Sequence, residues 1–189
     1  MKNKFTIGIY GSSPDLIKSI LLESNDINKE PYFLVPRKNL DFSFEVVDLE
    51  IIEGLNCLIY VIDIQKYIVT DYINNIETII KKIFEFKNLN VIFLLDKYDE
   101  VDINTGFSNK YENKYEIIED EIDNIRFKYG ADIQRIYVGK YSAKDVLEGR
   151  KKYLNGGVDK KEYDRMMRVY GFLELKNTLN FIISISQKK

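Results

Sequence analysis

The stretch Val91-Ile92-Phe93-Leu94-Leu95-Asp96-Lys97-Tyr98-Asp99 joins a short apolar run to a charged turn. An apolar run of this length without a polar break is typical of a central parallel strand, which is covered on both faces. The run from Cys57 to Ile64 has the same character. Between the two runs, Ile73, Ile76, Ile80, Ile83 and Phe84 follow the spacing of a helix. This alternation of strand and helix predicts an α/β fold with a mostly parallel sheet.

Toward the N-terminus, the residues from Phe5 to Tyr10 predict a first strand that ends at Gly11. A helix is expected directly after it, because Ser12 or Ser13 can cap a helix whose first turn contains a proline. Two further strands are expected at residues 32–35 and 42–49, joined by a turn-rich segment. These two strands predict a hairpin, and therefore one antiparallel pair in the sheet.

Toward the C-terminus, a helical repeat that stops at Gly130 is followed by a sixth strand over residues 133–138. Residues 148–161 are polar and contain two adjacent glycines, so we expect an exposed loop or insertion there. A closing helical region with a break near Gly171 completes the chain. The length of 189 residues fits one domain, residues 1–189.

The composition excludes several classes of function. A net charge of −2 gives no electrostatic basis for binding nucleic acid. The absence of histidine excludes histidine bases and histidine-rich zinc sites, and one cysteine cannot form an intramolecular disulfide. No apolar run reaches the length of a membrane helix, and Lys2 stands where myristoylation requires glycine. We therefore predict an intracellular, cytoplasmic protein without a membrane span or lipid anchor, with a nuclear location left open.

The element order and three motifs resemble the Ras-like G domain of small GTPases. The motifs are the run Leu58-Ile59-Tyr60-Val61-Ile62-Asp63-Ile64-Gln65, the turn Asp96-Lys97-Tyr98-Asp99, and Ser142-Ala143-Lys144. They are most similar to the Rag/Gtr branch of that superfamily. The resemblance implies a three-layer fold with a six-stranded, mostly parallel sheet, strand order 2-3-1-4-5-6, one antiparallel pair, and helices on both faces.

The resemblance also implies how a guanine base would be bound. In the family pattern [NT]-K-x-D, the lysine packs over the ring and the final aspartate accepts hydrogen bonds from guanine, and these positions correspond to Lys97 and Asp99. Ser142, Ala143 and Lys144 occupy the loop in which the family places a backbone donor for guanine O6.

The phosphate side departs from the family pattern. The loop Gly11-Ser12-Ser13-Pro14-Asp15-Leu16-Ile17-Lys18-Ser19 does not satisfy G-x-x-x-x-G-K-[ST]. Allowing one inserted residue places Lys18 at the phosphates and Ser19 at Mg²⁺, but Ile17 replaces the second glycine. The resemblance assigns Asp48 a water-mediated contact with Mg²⁺. Only eight residues separate Asp48 from Cys57, so most of the second switch and its helix is missing.

Three hypotheses follow. The first is a pseudo-GTPase without a cofactor, a protein-interaction subunit or scaffold similar in design to centromere protein M. Its partner would be another G domain or a roadblock-type protein. The second is a divergent, slow Rag/Gtr-like GTPase that binds GTP or GDP with Mg²⁺. It would use Gly11, Lys18, Ser19, Asp48, Lys97, Asp99 and residues 142–144. The third is a different, flavodoxin-like α/β protein with a similar element order.

Overall fold

A parallel sheet forms the centre of the molecule. The computed structural model describes residues 3–24, 40–66, 69–96, 101–102, 106–107, 112–130 and 133–186. The sheet strands are β1 (Asn3–Gly11), β2 (Leu40–Val46), β3 (Cys57–Asp63), β4 (Asn90–Asp96) and β7 (Ile136–Lys140). They are all parallel and lie in the order β2-β1-β3-β4-β7. Two short strands, β5 (Val101–Asp102) and β6 (Gly106–Phe107), form a separate antiparallel pair.

Within the described ranges, six helices cover the two faces of this sheet. They are α1 (Pro14–Ser24), α2 (Val69–Glu85), α3 (Glu112–Tyr129), α4 (Ala143–Leu154), α5 (Lys160–Val169) and α6 (Phe172–Ser186), and a 3₁₀ turn (Ile133–Arg135) precedes β7. None of the helices in the described part of the chain combines the length and apolarity needed to cross a bilayer.

Successive side chains of each strand point to opposite faces of the sheet, and this produces two separate hydrophobic cores. Ile7, Ile9 and Ile59 lie on the face that α1, α4, α5 and α6 cover. Leu58 and Phe93 lie on the opposite face, under α2 and α3. Every residue of β3 and β4 is buried, as expected of parallel strands covered on both faces.

Five of the six predicted strands are present, and the predicted parallel sheet with helices on both faces is confirmed. The predicted strand at residues 32–35, and with it the predicted antiparallel pair, lies outside the described residues. The order of the five described strands is common to Ras-like and flavodoxin-like folds. Strand order alone therefore leaves both families open.

The prediction of an exposed loop over residues 148–161 is wrong for most of that range. Residues up to Leu154 continue α4, and α5 begins at Lys160, so only a short turn separates the two helices. Gly149 is buried because the side chains of Met166 and Met167 pack over it, which explains a glycine inside a helix. Asp159 caps α5 by accepting the Glu162 N–H at 2.8 Å. The polar composition reflects the solvent-facing side of two helices.

The connection from β2 to β3 is unusual because it contains no helix. Residues 47–56, here called the strap, leave β2 at the carboxyl edge of the sheet and enter β3 at the amino edge. The Val47 N–H is donated to the Ile9 carbonyl at 3.0 Å, and the Asn56 N–H to the Thr6 carbonyl at 2.9 Å. Both ends of the strap are therefore hydrogen-bonded to β1.

The strap also packs into the core on the α2 face. Ile52 and Leu55 are buried there together with α2 side chains. A Cβ at Gly8 in β1 would overlap the Leu55 side chain, so the strap lies directly on the strand. This segment fills the position in which a crossover helix would otherwise cover the sheet.

Candidate functional site

The corner between β1 and α1 is where a phosphate loop would be formed. β1 ends at Gly11 and α1 begins at Pro14, so only Ser12 and Ser13 connect them. Gly11 has φ +104° and Ser13 has φ +49°, which turns the chain abruptly. The Ser12 N–H is donated to the Val61 carbonyl of β3 at 2.8 Å. A phosphate cradle needs several backbone N–H groups that converge on the anion. In this corner the Ser12 N–H is committed to β3, and Pro14 has no backbone N–H to donate.

Helix α1 carries the other predicted phosphate-side residues in its second turn. Ile17, which stands where the motif requires glycine, is fully buried in the core. Lys18 is partly exposed and Ser19 is exposed. Their assignment to phosphate and Mg²⁺ stays a prediction.

The base-side loop follows β7 and starts α4. Ser142 caps this helix: its Oγ donates to the Asp145 carboxylate at 2.6 Å and accepts the Asp145 N–H at 3.4 Å. The Ser142 N–H is donated to the Tyr170 carbonyl at 3.1 Å. Lys144 is exposed. Ser142 is thus held by the fold as a structural cap.

Ala143 makes the contact with the clearest consequence for a nucleotide. Its N–H is donated to Asp96 Oδ1 at 2.9 Å, and both residues are buried. We call this hydrogen bond the latch. The family pattern has Asn or Thr where Asp96 stands, and the family uses a backbone donor in the Ala143 loop for guanine O6. Here that N–H already has an ionisable acceptor that belongs to the chain itself.

The remaining predicted residues divide into two groups. Lys97 and Asp99 lie outside the described residues. Asp48 is exposed just after β2, and its carbonyl accepts the Ile51 N–H at 2.9 Å. In the described ranges, no three acidic or cysteine side chains come close enough to hold a metal ion. The parallel strands bring Gly11, Asp48 and the Ser142 loop to one edge of the sheet.

A group of tyrosines at the same edge was not predicted. Tyr10 stacks on Tyr60 with ring centroids 5.4 Å apart, and Tyr72 of α2 lies 6.5 Å from the Tyr60 ring. Burial raises the pKa of Tyr60, which keeps its phenol neutral. Tyr10 and Tyr60 are register partners near the ends of β1 and β3. Once β1 and β3 are assigned in the sequence, aligning them as neighbouring strands would have placed Tyr10 beside Tyr60.

Comparison with known families decides between the two folds that share this strand order. A conserved region of Gtr1/RagA G proteins matches residues 37–140, more than half of the chain's 189 residues. The chain belongs to the Gtr1/RagA G protein family. The resemblance to the Rag/Gtr branch is thereby confirmed. No curated protein sequence matches this Gtr1/RagA-type chain.

A solved structure agrees with this assignment at the level of the fold. The bacterial dynamin GTPase LeoA from ETEC superposes with a TM-score of 0.58 over 94% of this Gtr1/RagA-type chain, at 14% sequence identity. The chain covers only 36% of the LeoA chain. That residues 1–189 form a single domain stays a prediction.

Three features of the described residues bear on nucleotide binding by this Gtr1/RagA-type domain. The β1–α1 corner consists of two residues, and Ile17 is buried where the family motif has a glycine. The latch occupies a backbone donor on the base side. The strap leaves no separate helix in the position of the second switch.

Proposed function

We propose that this Gtr1/RagA-type G domain is a pseudo-GTPase that acts as a protein-interaction subunit or scaffold of an intracellular complex. The observation that carries this proposal is the two-residue corner between Gly11 and Pro14. Phosphate contacts need backbone donors that surround the anion. Because the Ser12 N–H of this corner is bonded to β3, the corner lacks enough free backbone donors to surround a phosphate.

The latch supports the same conclusion from the base side. The carboxylate of Asp96 only accepts hydrogen bonds when ionised, and a charge-assisted bond to Ala143 N–H is stronger than a neutral one. A guanine base would have to displace this carboxylate from the Ala143 N–H. The exchange would leave a buried carboxylate without that partner, which is unfavourable.

The strap supports the loss of switching. A GTPase switch needs a segment that orders around the γ-phosphate and is released on hydrolysis. The strap is fixed at both ends to β1 and buries Ile52 and Leu55. Releasing it would expose these side chains to water, at a cost of roughly 1.5–3 kcal/mol for each fully buried one.

The alternative is a divergent GTPase that binds GTP or GDP with Mg²⁺. It is favoured by the position of the Ser142-Ala143-Lys144 loop, which stands at the carboxyl edge as in a working G domain. In that case Gly11, Lys18 and Ser19 would contact phosphate, and Ser19 and Asp48 would hold the metal.

Thermal unfolding with and without nucleotide separates the two proposals. The protein is heated with GTP or GDP at millimolar concentration, each with Mg²⁺ or with a chelator. A ligand at ~100 times its dissociation constant adds ~2.7 kcal/mol, or roughly 5–10 °C for a domain of this size. We expect no Mg²⁺-dependent shift and no guanine nucleotide released on denaturing the purified protein.

Variants make this experiment specific. Ser19→Ala and Asp48→Ala remove the proposed metal ligands at exposed positions, so neither is expected to disturb the fold. Under the pseudo-GTPase proposal, their response to nucleotide equals that of the unchanged protein. A Mg²⁺-dependent stabilisation that both substitutions abolish would favour the divergent GTPase.

For the partner, we propose another G domain or a roadblock-type protein, by analogy with the Gtr1/RagA family. Cross-linking of the full chain in its native cells, followed by mass spectrometry, identifies what it contacts. Reconstitution with the identified protein should then give a stable complex. If the partner itself binds no nucleotide, the affinity should be the same with GTP, GDP or no nucleotide, and a nucleotide-dependent affinity would contradict the scaffold proposal. If the partner is a G domain, it is held in one nucleotide state while this chain is exposed to GTP or GDP.

A further inference from the structure

A cavity of 340 Å³ opens at the carboxyl edge between β1 and β3. The chain leaves β1 toward α1 on one face of the sheet and leaves β3 toward α2 on the other. Neighbouring strands whose connections diverge in this way leave a crevice between their carboxyl ends, where α/β proteins bind ligands. The volume is within the range of small-molecule sites.

Aromatic rings form the walls of this cavity. Tyr60 is buried at the base, Tyr10 stacks on it with an interplanar angle of 29°, and Tyr72 completes the wall from α2. Asn75 donates to the Tyr60 hydroxyl at 3.4 Å. Tyr10 and Tyr72 are only partly buried, so part of their surface is open to a ligand. Such walls favour a planar ring, which gains from stacking beyond its buried area.

Among the lining residues that the structure describes, Lys66 supplies the positive charge of this cavity. The Lys66 side chain is 74% exposed, and its ammonium lies 4.0 Å from the Asp63 carboxylate. Ser12 lines the same cavity, but its N–H is committed to Val61. One lysine without converging backbone donors is insufficient for a polyphosphate, whereas it matches a single carboxylate.

We propose that this cavity binds a small aromatic carboxylate, with its ring against the exposed surfaces of Tyr10 and Tyr72 and its carboxylate at Lys66. A purely apolar ligand would gain nothing from Lys66, and it would cover polar groups of Ser12 and Asn75 without satisfying them, which is costly. A saturated acid would lose the stacking on the tyrosines. Ring and charge are therefore both required.

Saturation-transfer NMR of the full chain with three matched probes tests this requirement. The probes are 4-methylbenzoate, 4-methylbenzyl alcohol, which lacks the charge, and cyclohexanecarboxylate, which lacks the aromatic ring. We expect only 4-methylbenzoate to bind, with a dissociation constant in the millimolar range or below. Equal binding of all three probes, or binding of none, would overturn the proposal.

Substitutions then locate the binding site. Lys66→Gln should weaken 4-methylbenzoate binding by about tenfold, the effect of losing one charge-assisted contact. Tyr72→Ala should abolish it. The matched controls are Lys82→Gln, another lysine following β3 but outside the cavity, and Phe127→Ala, an aromatic ring that is 91% exposed. Both controls should bind as the unchanged protein does.

Three further outcomes are decisive. If Tyr72→Ala does not fold, the exposed Lys66 still provides the test, and unchanged binding by Lys66→Gln contradicts the proposal. If GDP competes with 4-methylbenzoate and itself requires Lys66, the cavity belongs to a nucleotide site and the proposal fails together with the pseudo-GTPase assignment. If 4-methylbenzoate fails to bind and GDP also fails to bind, only the cavity proposal falls.

Discussion

At the residue scale, binding at the carboxyl edge depends on which acceptors the individual backbone N–H groups already bond to. The sequence predicts a tight turn at Gly11 and identifies the broken phosphate motif. It does not predict that the Ser12 N–H reaches Val61 or that the Ala143 N–H reaches Asp96. Both contacts join residues that are about fifty positions apart, so they depend on how the strands align rather than on local sequence.

Gly11→Ala should destabilise the protein by at least about 2 kcal/mol. The residue has φ +104°, and an added Cβ would overlap the Val61 carbonyl oxygen. Positive-φ strain and a backbone overlap each disfavour alanine. Gly54→Ala is the control, because Gly54 has φ +83° with no neighbour near the new Cβ, and should cost only about 1 kcal/mol. Chemical denaturation measures both, and equal losses would contradict the close packing of the corner.

At the element scale, periodicity correctly predicts helix α2 but only part of its buried face. The buried stripe of α2 contains Ile76, Ile80 and Ile83 as predicted. Phe84, which was included in that stripe, is 44% exposed, and Ile79 is buried instead. Adjacent helix positions differ by about 100°, so a pattern of threes and fours does not fix which flanking residue faces the sheet.

The strap should contribute to stability as a core element does. Leu55→Ala is expected to cost about 2–4 kcal/mol, because it removes a buried side chain and leaves a cavity over β1. Ile51→Ala is the matched control within the strap, since Ile51 is 68% exposed, and should change the free energy of unfolding by less than about 0.5 kcal/mol. Urea denaturation compares them. A small effect for Leu55→Ala would mean that the strap is loosely attached.

The contact between α2 and α3 should respond to acid. Glu77 accepts hydrogen bonds from the Tyr129 hydroxyl and from Lys128, and these contacts lower the pKa of Glu77 from 4.5 to about 2. A lowered carboxyl pKa stabilises the fold above the unfolded value, and that stability is lost as pH falls through the folded value. The contribution of Glu77 should therefore be complete above about pH 5 and disappear between 4.5 and about 2.

Glu77→Gln measures this contribution. Its thermal midpoint should lie below that of the unchanged protein at neutral pH, and the two should converge as the pH falls below 4.5. Glu85→Gln on the same helix is the control, because Glu85 pairs only locally with Lys82 at 3.4 Å. A pH-independent difference for Glu77→Gln would mean that the hydroxyl bond from Tyr129 does not form.

At the scale of the whole molecule, the sequence predicts the class of fold well and the site less well. Continuous apolar runs identify the central strands, because a strand covered on both faces has no polar side. The polar helices around residues 148–161 were missed because amphipathic helices with adjacent glycines look like loops in composition alone. The cavity beside Tyr60 was missed because it exists only when β1, β3 and α2 are assembled.

Cys57 reports on the integrity of the whole fold. It is the only cysteine, lies in the central strand β3, and is fully buried, which raises the pKa of its thiol well above the ordinary range. A thiol reagent such as Ellman's reagent should therefore react at the rate of global unfolding, and urea should accelerate the reaction. Fast modification of the native protein would contradict the burial of β3.

The strap has a further consequence for how the chain folds. A βαβ unit takes about thirty residues including its two strands, so its crossover takes roughly twenty, whereas residues 47–56 join β2 to β3 directly. Because loop-closure entropy grows with the logarithm of length, halving the connection lowers the cost of closure by about 0.6 kcal/mol. Strands β2 and β3 therefore join β1 with a small entropic penalty, and this three-strand unit is favoured to form early. The short connection that stands in place of a crossover helix thus also favours a three-strand folding nucleus.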